Sequence, residues 1–108
     1  MTAHRACGAS ELEQDTPLRV ELDGVAIAIV KDSAGDIHAI GDRCTHGDVS
    51  LSEGFVEGDT LECWAHGSRF SLITGQPLNL PAYEPVPVYV VNIDGDDVLI
   101  DPTVLKEV

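Results

Sequence analysis

Cys44-Thr45-His46 and, after a gap of sixteen residues, Cys63-Trp64-Ala65-His66 each set one sulfur donor beside one imidazole. A chain with this pattern is constrained to fold so that two separate loops meet at one point. A [2Fe-2S] centre in which two histidines replace two cysteines on one iron needs four side chains from two neighbouring loops, and C-x-H…C-x-x-H provides them. Mononuclear zinc is the alternative, since two cysteines and two histidines also satisfy a tetrahedral site. Zinc fingers usually pair cysteine with cysteine and histidine with histidine, whereas each segment here carries one of each. A disulfide between Cys44 and Cys63 would leave both histidines without a purpose.

Further signals follow the second pair: Gly67-Ser68-Arg69-Phe70, then Thr74-Gly75, then Leu80-Pro81-Ala82. Together with the two pairs they resemble the Rieske family over residues 41–91. The resemblance implies one Rieske-type [2Fe-2S] cluster per chain. Cys44 and Cys63 would hold its inner ferric iron, and His46 and His66 the outer, redox-active iron near the surface. Pro81 would lie in a proline loop over the cluster, against the plainer reading of a turn proline. The implied fold is an all-β, antiparallel β-sandwich with an inserted cluster-binding subdomain.

The hydrophobic pattern agrees with an all-β chain. Short β-branched runs separated by turn residues predict strands over 18–22, 25–31, 37–41, 60–63, 69–72, 86–93 and 98–101. Asp23-Gly24 is a hairpin signal, and Ser33-Ala34-Gly35-Asp36 and Asp94-Gly95-Asp96-Asp97 are further turns. Ser10 and Glu13 have capping-box spacing, which predicts a helical turn over 10–14. The ligand loops fall at 42–81, flanked by strands on both sides, so the two ends of the chain should build a base sheet within a single domain, 1–108.

Composition narrows the setting. A domain of 108 residues is near the size where a metal centre adds usefully to a modest core. Three cysteines, two of them claimed as ligands, imply no disulfide framework, and a reducing, cytoplasmic location is expected. Cys7 reads as a small buried apolar residue. His4 and His38 read as surface or strand histidines. The longest apolar run, Val25-Ala26-Ile27-Ala28-Ile29-Val30, is the size of a strand and far short of a membrane span. No secretory signal is evident at the start, and no heptad or exposed seam suggests an oligomer, so a monomer is expected. The net charge of −13 excludes nucleic acid and anionic membranes as natural partners and would steer a basic docking patch, although part of it simply keeps a small domain soluble.

The chemistry of the implied centre follows from charge. Two ferric ions, two sulfides, two thiolates and two neutral imidazoles sum to zero, so adding an electron is easier than to an all-cysteine cluster. Rieske centres accordingly span about −150 to +300 mV, against about −400 mV for plant-type ferredoxins. High-potential members carry an extra disulfide, whose matching positions here are Val49 and Ala65, and a serine and a tyrosine hydroxyl near the sulfurs; Ser68 keeps the first and Phe70 lacks the second. With the acidic field added, a potential below about 0 mV is expected within that span. Trp64 reads either as an apolar shield or docking surface beside the cluster or as a residue packed on the base sheet. Asp48 reads as a solvated loop acid or a tuner of the His46 imidazole.

On this reading the protein is an electron carrier without catalytic residues of its own. The expected partners are a flavin-dependent reductase and a terminal, ring-hydroxylating oxygenase. Two other roles share the motif or the fold: an accessory small subunit of an NADH-dependent nitrite reductase, and a Rieske ferredoxin associated with iron-sulfur cluster assembly, which the stretch 62–70 with its tryptophan resembles.

Overall fold

The computed structural model describes residues 3–44, 49–65, 67–79 and 84–106. Among these residues the strands are β1 His4–Gly8, β2 Leu18–Leu22, β3 Val25–Lys31, β4 Ile37–Gly41, β5 Phe55–Glu57, β6 Thr60–Glu62, β7 Arg69–Ser71, β8 Val88–Asp94 and β9 Asp97–Leu105. Six of them form one antiparallel sheet in the order β1-β9-β8-β4-β3-β2, and β5-β6-β7 form a second. The edge strands β1 and β2 come into contact, which curls the large sheet toward a barrel. Both ends of the chain supply the large sheet and the middle supplies the small one, as the position of the ligand loops predicts.

Turn chemistry sets the register. Asp23 and Gly24 both adopt positive φ, 53° and 80°, and pair Leu22 with Val25, the geometry that a two-residue Asp-Gly hairpin requires. β3 explains the unbroken apolar run. Ile27 and Ile29 pack with Leu22, Ala39, Val98 and Ile100 on one side, while Ala28 and Val30 pack with Leu61, Phe70 and Leu72 of the small-sheet lobe on the other. A strand buried on both faces has no polar face to alternate with.

The helical turn lies elsewhere than the spacing of Ser10 and Glu13 predicts. A 3-10 turn spans Ala9–Glu11, and the Glu11 carboxylate accepts the Gly8 amide. Ser10 is taken by Asp96 instead, to which its amide and hydroxyl both donate at 2.9 Å. Cys7 is 4% exposed, the buried residue its type suggests, and burial pushes its thiol pKa up. Among the described residues, no helix is long and apolar enough to cross a membrane.

Candidate metal centre

The chain leaves the large sheet after β4 and doubles back almost at once. The Cys44 amide donates to the Val49 carbonyl at 3.0 Å, the Leu51 amide to the Asp42 carbonyl at 2.6 Å, and Arg43 and Ser50 form a bridge. Residues 42–44 and 49–51 are therefore a short two-stranded neck, and Thr45, His46, Gly47 and Asp48 join its tips. Those four lie outside the described residues.

A second neck carries the other pair. Past Glu62 the β6–β7 register carries on for one more rung, the Cys63 amide donating to the Ser68 carbonyl at 2.7 Å. The Gly67 amide donates back to the Cys63 carbonyl at 3.0 Å, and Gly67 has φ of 75°, the left-handed conformation that a glycine reaches most easily. His66 lies outside the described residues, as does Pro81. Asn79 fastens this loop from outside: its amide nitrogen donates to the Gly67 carbonyl at 3.0 Å, and its carbonyl accepts the Arg69 amide at 2.7 Å.

The two sulfurs the sequence singles out share one environment. Cys44 and Cys63 are each 1% exposed, carry no disulfide and belong to the same cluster of buried residues as Leu51, Leu61 and Phe70. Buried thiolates without a counter-ion are costly, whereas coordination to a metal deprotonates and neutralises them, so this unbridged pair fits an iron-sulfur group. Among the described residues, no three His, Cys, Asp or Glu side chains converge. Ser68 and Phe70 are both fully buried, and Val49 and Ala65 pack against the same cluster. Trp64 stands 49% exposed beside Cys63, outside both clusters of buried residues.

One residue of the first neck escapes a sequence reading centred on ligands. Asp42 is 2% exposed, and its carboxylate has three donors: Arg19 Nε at 3.1 Å, the Ser52 amide at 2.8 Å and the Ser50 hydroxyl. Its own amide donates to the Ala26 carbonyl at 3.1 Å, which ties the neck to β3. The available signal was an acid two residues before Cys44 followed by serines at 50 and 52.

A fold of a curled antiparallel sheet bearing a lobe with two paired, cysteine-edged loops defines the class of small iron-sulfur domains. The chain belongs to the Rieske [2Fe-2S] domain family, which it matches over residues 2–90. It is 41% identical over 97 residues to the 3-phenylpropionate/cinnamic acid dioxygenase ferredoxin subunit of Escherichia coli (strain K12), covering 89% of this chain and 90% of that one. Its structure is similar to the ferredoxin of carbazole 1,9a-dioxygenase from Nocardioides aromaticivorans IC177, with a TM-score of 0.90 and 30% identity over 95% of this chain and 100% of that one. It also matches a chain in the complex of reduced oxygenase and oxidized ferredoxin in carbazole 1,9a-dioxygenase, with a TM-score of 0.85 and 34% identity over 92% of each. Its likeness to nitrite reductase small subunits, at 21% and 23% identity, is one of fold alone. Family membership brings with it a Rieske-type [2Fe-2S] cluster as cofactor, in place of the zinc alternative.

Proposed function

We propose that this protein is a one-electron carrier serving a terminal oxygenase, with Cys44 and Cys63 as ligands of one iron and His46 and His66 as ligands of the other. The observation that carries the reading is the pair of buried, unbridged thiols, each heading a loop that contains a histidine. The 41% identity to dioxygenase ferredoxin subunits over nearly the whole chain supports the role of component rather than catalyst.

When bound, the cluster supplies a one-electron couple whose potential histidine ligation raises above that of all-cysteine centres. The chain's own residues do the rest. The Cys44 and Cys63 sulfurs hold their iron inside an apolar cluster that excludes water, while the two necks fix the spacing of the loops that carry His46 and His66. The donor is a flavin-dependent reductase and the acceptor a ring-hydroxylating oxygenase. The protein works as a cytoplasmic monomer, with a potential in the lower part of the family span.

Electron paramagnetic resonance before and after dithionite, with iron and acid-labile sulfide analysis, tests the reading. The expected result is a signal only on reduction, with the low average g-value of mixed histidine and cysteine ligation and equal iron and sulfide. Colourless protein holding a single zinc would overturn it.

A further inference from the structure

The root of the first neck is built on one buried carboxylate. The neck that ends in Cys44 on one side and Val49 on the other is paired at its tip by the bond from the Cys44 amide to the Val49 carbonyl, and residues 42 and 50–52 form its root. There the Asp42 carboxylate gathers Arg19 from β2, the Ser50 hydroxyl and the Ser52 amide, so it joins both sides of the neck to the large sheet. The Asp42 side chain is 3% exposed and that of Arg19 is 49% exposed. The acid is thus sealed in while its counter-charge reaches it from the surface. A buried carboxylate with three donors is worth keeping only while all are satisfied, and a charge two residues from an iron ligand also acts on any electron placed there.

We propose that Asp42 is the positioning residue of the first ligand loop, and that Arg19 is its counter-charge, so that the pair holds the loop and also sets the electrostatic level at which the centre accepts an electron. This rests on the ligand assignment proposed above. Reduction adds one negative charge. Removing the Asp42 charge should therefore favour reduction, and removing the Arg19 charge, which exposes the centre to an uncompensated Asp42, should disfavour it.

The test compares the holoprotein with Asp42→Asn, Arg19→Gln and Arg19→Lys by equilibrium redox titration and by the rate of iron loss to a chelator. Asp42→Asn keeps the size of the side chain but loses the fit to three donors. Its iron should be released about tenfold faster or more, the scale of losing a hydrogen bond to a buried charge, and its potential should rise. Arg19→Gln should lower the potential, and Arg19→Lys should return it toward the wild-type value. A merely structural neck would change iron loss without opposite shifts of potential. The proposal is overturned if Asp42→Asn and Arg19→Gln shift the potential in the same direction, or if Asp42→Asn releases iron at the wild-type rate. A wild-type protein lacking iron and sulfide would overturn both this inference and the electron-carrier reading.

Discussion

Nε2 of His38 donates to Oδ2 of Asp32 at 2.7 Å across the foot of the β3–β4 hairpin, far along the strands from the ligand necks. The other carboxylate oxygen accepts the Ala34 and Asp36 amides, each at 2.9 Å. The His38 bond first, and these amides after it, hold the Asp32 carboxyl below its ordinary value of 3.8 despite the opposing effect of burial. A depressed folded-state pKa contributes stability that is complete above the unfolded value and disappears as pH falls through the folded one.

Asp32→Asn should therefore lower the melting temperature at neutral pH, and the gap to the wild type should close as the buffer is taken below the ordinary carboxylate range. Thermal melts at a series of pH values check this. A gap that stayed constant into strong acid would mean that the Asp32 charge does not hold the hairpin.

Replacing His66 with Cys exchanges a neutral ligand for an anionic one. The expected outcome is either loss of the cluster or a potential displaced toward the about −400 mV of all-cysteine centres. Spectroelectrochemical titration decides it, and a loaded variant with an unchanged potential would remove His66 from the ligand set.

Gly75 lies where the lobe meets the segment returning to the large sheet. It has φ of 75°, a Cβ there would stand 2.2 Å from the Val86 carbonyl oxygen, and its own carbonyl accepts the Val86 amide at 2.9 Å. Gly75→Ala should cost at least about 2 kcal/mol, from left-handed strain together with backbone collision. That loss corresponds to a fall in melting temperature of roughly 10 °C for a domain of this size. Gly24→Ala is the control, with positive φ but nothing near the added methyl.

With a net charge of −13, electron transfer to a partner bearing a basic docking patch should slow as salt rises. Stopped-flow rates between about 0.05 and 0.5 M salt should fall several-fold. Rates independent of salt would remove steering from the account and leave the centre untouched.

The strands that β-branched alternation marks, β2 through β4 and β6 through β9, are all present, and those it misses share a physical reason. His-Arg-Ala-Cys-Gly of β1 has no β-branched residue and is extended only because Arg5 and Cys7 pair with Leu99 and Val98 of β9. β5 has three residues with Phe55 exposed, too short to show a period. Proline misleads at both ends of the last hairpin. β8 begins at Val88 and not at 86, because Pro87 has no amide to give; its carbonyl instead accepts the Gly41 amide at 2.9 Å. β9 continues to Leu105 and not 101, because Pro102 falls in the irregular stretch where the register jumps from Val91↔Ile100 to Tyr89↔Leu105. The spacing of the two pairs was enough to expect Cys44 and Cys63 in one place, and the structure brings both into one buried cluster. Asp42, Arg19 and Asn79 were not legible in this way, since their work depends on partners up to 23 residues away along the chain, as between Asp42 and the three sites it joins at 19, 50 and 52.

β4 and β8 are direct neighbours, with Ala39 opposite Tyr89 and Ile40 opposite Val88. In topological terms everything between them is the loop of one long hairpin, entered and left at adjacent points. Closing so long a loop costs little more than closing one half as long, because the entropy grows only with the logarithm of length. The lobe is thus a graft that the scaffold tolerates cheaply, because its length hardly bears on the register of the strands beneath.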